Sequence, residues 1–143
     1  MGPLKGITVL DFTQAYNGPY CTMILADYGA RVIKVERADG GEQSRDWTPF
    51  SESGGSGYFA TYNRNKEDIA IDLSKPEGKE IIKKLYEEVD VVVENFKYGT
   101  IDKLGLGYEV AKEINSLADT INHLLVENKK NGLTLEDSSH ILL

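Results

Sequence analysis

The sequence contains few of the residues that form covalent cross-links or bind metal ions. Its 143 residues include one cysteine, Cys21, and two histidines, His123 and His140. A single cysteine excludes an internal disulfide and gives no sign of secretion, so we expect a cytoplasmic protein. We also expect Cys21 to be a packed, inert thiol. Two isolated histidines are too few for a typical zinc site, and we predict no metal centre.

Long apolar runs and an excess of basic residues are also missing. No run approaches the roughly 18 apolar residues that span a bilayer, and residues 1–7 do not form a basic region followed by an apolar one. The net charge is -7, from 16 Lys and Arg against 23 Asp and Glu. This balance argues against nucleic acid or an anionic membrane as the main partner. We therefore expect no nucleic acid and no membrane partner.

The sequence does contain apolar segments typical of strands, and they alternate with segments typical of helices. The predicted strands are residues 6–13, 31–37, 68–73 and 90–96, and the predicted helices are residues 20–28, 74–89 and 108–115. In the second helix, Ser74 and Glu77 fit a capping box. A polar, Gly-rich segment at 38–57 is expected to be irregular. This alternation predicts an α/β fold, Rossmann-like, with a mostly parallel sheet and flanking helices.

Polar residues follow the predicted strands, at the sheet edge where α/β proteins bind ligands. Asn95 comes directly after a run of three valines, and Arg37 ends the second strand. The first loop has no G-x-G-x-x-G motif, so NAD is a weak candidate. The guanidinium of Arg37 can bind a phosphate through two hydrogen bonds. The alternative is a surface arginine that pairs with Asp39 or Glu36.

A series of motifs carries a family resemblance over residues 3 to about 115. The motifs include Pro3-Leu-Lys-Gly-Ile-Thr-Val-Leu-Asp11, Gly18-Pro-Tyr20, Leu25-Ala-Asp-Tyr-Gly-Ala30, Val32-Ile-Lys-Val-Glu-Arg37, Asn63-Arg-Asn-Lys66, Asp90-Val-Val-Val-Glu-Asn-Phe96 and Leu104-Gly-Leu-Gly-Tyr108. In this order and spacing they resemble the N-terminal part of the class III CoA-transferases, the family of formyl-CoA transferase and carnitine CoA-transferase.

The resemblance implies a division of the chain and a set of partners. Residues 1–115 would form a CoA-binding, Rossmann-like domain, whereas residues 116–143 would form a helical tail that does not match the family. CoA or acyl-CoA would be a substrate rather than a permanently bound cofactor. A small carboxylic acid would be the second partner. Family members wind through each other as dimers, so a homodimer is one expected assembly.

The resemblance also implies which residues contact CoA. They are Tyr16, Asn17, Arg37, Ile71, Asp72, Leu73, Ser74, Asn95, Phe96, Lys97 and Lys103. Tyr16 and Asn17 would lie near the pantetheine arm and the thioester, and Arg37 would bind the ribose phosphate. Residues 71–74 would lie near the adenine, and Lys103 near the CoA phosphates. The alternatives are an ordinary turn at the first loop, a helix cap at Asn95 and a solvated lysine at Lys103.

No catalytic residue can be assigned from the sequence. The family's nucleophilic aspartate lies beyond the matched region, and neither Asp11 nor Asp72 at the expected ligand edge is promoted to that role. We interpret the chain as the CoA-binding portion of a CoA-transferase. The alternatives are a CoA-binding module or inactive truncated relative, and an acyl-CoA racemase of the same family. In the tail we expect a helix from residue 116 to 131 and a short helix that ends at residues 141–143.

Overall fold

The computed structural model describes residues 2–115 and 140–142. The elements in chain order are β1 (Thr8–Asp11), α1 (Asn17–Asp27), β2 (Arg31–Glu36), a 3-10 turn (Gln43–Asp46), α2 (Gly57–Asn63), β3 (Lys66–Ala70), α3 (Pro76–Tyr86), β4 (Val91–Glu94), α4 (Thr100–Lys103), α5 (Tyr108–Ile114) and β5 (His140–Leu142). Strands and helices alternate as the sequence predicts.

The strands form one sheet in the order β3-β2-β1-β4-β5. The first four strands are mutually parallel, and β5 runs antiparallel to β4. From β1 the chain moves to one side of the sheet through β2 and β3, and then crosses to the other side of β1 to form β4. This reversal is the topological switch point at which open α/β sheets bind ligands. The predicted α/β, Rossmann-like fold with a mostly parallel sheet is confirmed.

Side chains of β1 alternate between two different layers. Leu10 and Phe12 face the larger core, which is covered by α3, α4 and α5, and which includes Ile33, Val35, Ile82 and Tyr86. Val9 faces a smaller core beneath α1, together with Ala26, Val32 and Val93. Helix α2 packs against α1. The two layers therefore present different chemistry at the carboxyl edge of the same strands.

The segment at 38–57 is more regular than its composition suggests. It contains the 3-10 turn and ends in the cap of α2, a helix that the sequence analysis does not predict. Ser56 Oγ accepts a hydrogen bond from Phe59 N at 3.1 Å. A serine at this position satisfies a backbone donor of the first turn, so it starts a helix in an otherwise loop-like run of Gly and Ser.

Helix α3 begins differently from the prediction. It starts at Pro76, and no side chain caps it. The Ser74 backbone N and Oγ both donate to Asp72 Oδ1, at 2.9 and 2.6 Å, so Ser74 closes a turn after β3 instead of a capping box. Gly78 lies so close to the preceding turn that a Cβ there would be 2.2 Å from Asp72 O. The first turn of α3 thus packs directly on backbone.

The last residues correct a further prediction. Residues 140–142 form strand β5, with Val93 opposite Ile141, where the sequence analysis expects the end of a short helix. The expected helix at 116–131 and His123 lie outside the described residues. Within residues 2–115 and 140–142, no helix has the length and apolar character needed to cross a membrane.

Candidate functional site

A cleft of about 280 Å³ opens at the carboxyl edge of the sheet, on the side that α3 covers. We call it the edge cleft. Its lining comes from the ends of all four parallel strands: Phe12, Gln14, Val35, Glu36, Arg37, Ala38, Asp39, Ile71, Asp72, Leu73, Ser74, Phe96 and Leu104. The cleft lies at the switch point between β1 and β4, so its position follows from the strand order.

The floor of the edge cleft is apolar. Phe12, Val35 and Ile71 are buried, with exposed fractions of 1%, 8% and 5%. The rings of Phe12 and Phe96 pack with their centroids 6.4 Å apart. An apolar floor with polar groups at the rim suits a ligand that has both a planar or aliphatic body and charged groups.

Arg37 provides a positive charge at the rim. Its side chain is 61% exposed and lies 3.9 Å from Asp39 Oδ1, which is a loose ion pair. Arg37 Nε donates to Gly41 O at 3.1 Å. The other expected partner, Glu36, pairs with Arg45 instead, at 2.6 Å. The two terminal nitrogens of Arg37 donate no hydrogen bond to any residue that the structure describes. They are therefore able to bind a phosphate.

Asp72 and Ser74 form the opposite, polar part of the lining. Hydrogen bonds from the side chain and backbone of Ser74 lower the pKa of Asp72 below its ordinary value. The carboxylate is therefore ionised near neutral pH and occupied as a hydrogen-bond acceptor. The hydrogen bonds from Ser74 to Asp72 fix the shape of this turn and hold the two side chains together at the rim.

Asn95, an expected ligand contact, is hydrogen-bonded to another part of the protein. Asn95 Oδ1 accepts from Gln14 N, and Asn95 Nδ2 donates to Gln14 O, each at 2.8 Å. Both ends of the amide thus bind the backbone of the loop after β1. The residue is neither a helix cap nor part of the cleft lining. Its neighbour Phe96 does line the cleft, and Phe96 N donates to Glu94 Oε2 at 2.7 Å.

Only part of the predicted set comes together at the cleft. Arg37, Phe96 and the segment at 71–74 line it. The predicted contacts that lie outside the lining are Tyr16, Asn17, Asn95, Lys97 and Lys103. Tyr16 and Asn17 lie at the start of α1, and Lys103 is the last residue of α4.

Tyr16 belongs to an aromatic cluster that the sequence analysis missed. Its ring is stacked on Tyr20, with centroids 6.1 Å apart, and meets the edge of Tyr62 at 4.9 Å. Tyr58 contacts both Tyr62 and Trp47 at 5.0 Å. The signal was present, because the pairs 16/20 and 58/62 have the four-residue spacing that places side chains on one helix face.

The opposite, α1 side of the same edge holds buried charges, which the sequence analysis also missed. Asp11 is fully buried, and its Oδ2 accepts from Lys66 Nζ at 3.0 Å and from Thr22 Oγ1 at 2.6 Å. Burial lowers the pKa of Lys66, and the nearby Asp11 opposes that shift. Asp11 lies at the carboxyl end of β1, the expected ligand edge, but its oxygens are occupied by hydrogen bonds inside the protein.

A second buried ion pair lies beside the first. Lys34 and Glu42 side chains are each 2% exposed, and Lys34 Nζ lies 2.7 Å from Glu42 Oε2. Although that oxygen receives no hydrogen bond of good geometry, the short distance places the two charges in direct contact. Lys34 Nζ donates to Thr13 O, and Glu42 Oε1 accepts from Ala15 N, at 2.7 and 2.8 Å.

Cys21 is half-buried in α1. Burial raises the pKa of its thiol, and the nearby Asp11 raises it further, so the thiolate that would react is disfavoured. This agrees with the expected inert thiol. The described ranges contain no group of three or more Asp, Glu, His or Cys side chains arranged to hold a metal ion.

The fold and the edge cleft define an α/β protein of the Rossmann-like class with an open cleft at its switch point. The sequence matches CoA-transferase family III over residues 4–116, and the chain belongs to that family.

Similar proteins agree with this assignment. An acyl-CoA transferase from Fusarium pseudograminearum is 48% identical over 80% of this chain and 27% of its own length. A succinyl-CoA:mesaconate CoA-transferase from Haloarcula hispanica is 49% identical, over 80% of this chain and 30% of its own. The crystal structure of a CAIB/BAIF family protein from Brucella suis superposes with a TM-score of 0.74 at 42% identity, covering 80% of this chain and 31% of that one. The chain therefore spans less than a third of each relative.

Proposed function

We propose that this chain binds the CoA portion of an acyl-CoA in the edge cleft, as the N-terminal part of an enzyme that moves CoA between an acyl-CoA and a small carboxylic acid. The observation that carries the proposal is the cleft itself. It lies at the switch point of a family III fold, with an apolar floor and the exposed guanidinium of Arg37 at its rim. CoA combines the same features, an aromatic base and a long arm joined to phosphates.

Each wall of the cleft has a proposed role in this binding. The apolar floor around Ile71 and Leu73 takes the adenine, and Phe96 packs against the base or the arm. Arg37 binds the ribose phosphate through its two terminal nitrogens, because a guanidinium matches phosphate in a planar, two-point contact. Lys103, and Lys97 before it, supply further positive charge from outside the lining.

We assign no residue of the described domain as the nucleophile of the transfer reaction. Asp11, which the strand pattern places at the ligand edge, is buried and paired with Lys66, so it is not available as a nucleophile. The relatives from Fusarium pseudograminearum and Haloarcula hispanica are CoA-transferases by name, and we therefore do not pursue the racemase alternative. A homodimer and a cytoplasmic location remain predictions from the sequence.

Calorimetric titration of the chain with CoA tests the proposal. We expect binding to the wild type and about tenfold weaker binding to Arg37→Ala, which corresponds to about 1.4 kcal/mol. Arg31→Ala is the matched control, because Arg31 lies at the other end of the same strand and pairs with Glu67 on the surface. Equal affinity in Arg37→Ala and wild type would remove Arg37 from the site, and no binding to wild type would refute the proposal.

The second candidate is a CoA-binding module that performs no transfer. The burial of Asp11 in an ion pair with Lys66 favours this candidate, because that carboxylate is not available as a nucleophile. An assay with succinyl-CoA and a free dicarboxylic acid separates the two. We expect CoA binding without turnover from the isolated chain, and measurable turnover would show that it carries a complete active site.

A further inference from the structure

The loop after β1 is held by side chains from three separate parts of the chain. Thr13 O accepts from Lys34 of β2, at 2.7 Å. The backbone of Gln14 forms two hydrogen bonds with Asn95, which follows β4. Ala15 N donates to Glu42, which precedes the 3-10 turn. Four consecutive polar backbone groups, from the carbonyl of residue 13 to the amide of residue 15, are thus occupied by side chains.

The loop has a backbone conformation that needs such support. Ala15 has φ at +67°, in the left-handed region that residues with a Cβ rarely adopt. An alanine has no polar side chain that could stabilise this conformation locally. The surrounding contacts must therefore select it, and the hydrogen bond from Ala15 N to Glu42 acts at the residue concerned.

The buried pair of Lys34 and Glu42 is costly to form, because two ions must leave water. Such pairs contribute little net stability compared with apolar residues of the same volume. In this protein, however, each ion also binds the loop, through Thr13 O and through Ala15 N. Apolar side chains could fill the buried positions of Lys34 and Glu42. Their role in holding the loop explains why charged residues stand there instead.

We propose that Lys34, Glu42 and Asn95 are positioning residues that hold the loop in the conformation where Gln14 lines the edge cleft. The inference rests on the proposed function and on the family resemblance, which implies that Tyr16 and Asn17 at the end of this loop lie near the thioester of a bound acyl-CoA. Lys34, Glu42 and Asn95 do not touch the ligand. They act through the loop and affect binding of the acyl end, whereas Arg37 acts on the nucleotide end.

The first test needs no ligand. Amide hydrogen exchange in the full 143-residue chain is expected to show slow exchange at Gln14 and Ala15 in the wild type. Asn95→Ala should speed exchange at Gln14 at least tenfold. The double variant Lys34→Met with Glu42→Leu removes both charges together, so no unpaired ion stays buried, and it should speed exchange at Ala15. Exchange at Leu10 in β1 should stay unchanged in both variants.

The second test separates the two ends of the ligand. Both variants should bind succinyl-CoA about tenfold more weakly than wild type, and should bind adenosine 3′,5′-bisphosphate, which is the nucleotide end alone, within twofold of wild type. Glu52→Gln, a charge loss at an exposed position, is the control and should change neither affinity. A general loss of structure would weaken both ligands and speed exchange throughout β1.

Three outcomes would overturn the inference. They are fast exchange at Gln14 and Ala15 in the wild type, unchanged exchange in the variants, and equal weakening of both ligands. If the wild type binds neither ligand, the proposed function fails, and the exchange rates alone decide whether the three side chains hold the loop.

Discussion

The two sides of the sheet meet the same carboxyl edge with opposite chemistry. On the α1 side, the ion pairs Asp11–Lys66 and Lys34–Glu42 are buried. On the α3 side, the same strand ends supply an apolar floor and an open cleft. The difference teaches that charge alone does not mark a ligand site. The buried charges bind protein backbone and one another, whereas Arg37 is exposed at the rim of the cleft, where we propose that it binds a phosphate.

The largest expected effect comes from breaking a buried pair on the α1 side. Lys66→Met leaves the carboxylate of Asp11 buried without its ammonium partner, which should lower the free energy of unfolding by about 3–5 kcal/mol. Urea denaturation followed by circular dichroism measures the change. The control is Lys83→Met, which breaks an exposed pair with Glu80 and should cost less than about 1 kcal/mol. Similar losses in both variants would contradict the contrast between buried and exposed pairs.

On the α3 side, the comparable variant leaves a neutral carbonyl unpaired instead of a buried charge, so the expected loss of stability is smaller. Tyr86 is buried, and its hydroxyl donates to Leu106 O at 2.7 Å. Tyr86→Phe leaves that carbonyl without a donor and should destabilise the fold by about 1–3 kcal/mol in the same denaturation experiment. Tyr28→Phe, at a tyrosine that is 55% exposed, should stay within about 0.5 kcal/mol of wild type.

A change in the cleft lining should affect binding more than stability. Leu73→Ser makes the floor polar, and we expect CoA affinity to fall about three- to tenfold, a free energy of roughly 0.6–1.4 kcal/mol. Calorimetry measures the affinity, and thermal unfolding checks that the domain is intact. Ile81→Ser makes the same kind of change on the exposed face of α3 and should leave affinity unchanged. If CoA affinity fell in both variants, the loss of affinity could not be attributed to the cleft lining.

The smallest expected effect is a change in the pH dependence of stability, caused by Glu36, which lies where the two sides of the sheet meet. Burial would raise the pKa of Glu36, but hydrogen bonds from Arg45 and from Glu42 N together hold it below the ordinary value of 4.5. A carboxyl with a lowered pKa in the fold stabilises the protein above 4.5, and that contribution is lost as pH falls through the lowered pKa. In urea denaturation between pH 6 and 3, Glu36→Gln should therefore lose stability less steeply than wild type. Glu52→Gln should follow the wild type.

The sequence predicts the strands more reliably than the chemistry between them. The three valines before Glu94 indicate a buried strand on their own, and β4 is where they predict it. The edge cleft follows from the order of strands, and the family resemblance identifies Arg37 and residues 71–74 in its lining. These features depend on local pattern or on a motif, and both can be read along the chain.

The buried charges cannot be read in the same way. Lys34 and Glu36 alternate with valine and isoleucine along β2, a pattern that is typical of a strand with one face in solvent. Lys34 pairs with Glu42 and Glu36 pairs with Arg45, and both partners lie beyond β2 in the sequence and meet the strand only in the fold. The role of Asn95 was missed for the same reason, since its partner is 81 residues away.

The absence of a side chain at Gly78 has a consequence for how the cleft can respond to a ligand. Because α3 rests on the carbonyl of Asp72 with no intervening atoms, the helix and the turn at 71–74 are expected to move as a single body. We therefore expect that side of the cleft to shift little if a ligand binds. Any induced fit would fall to the other rim, where the side chains of Arg37 and Asp39 are 61% and 88% exposed.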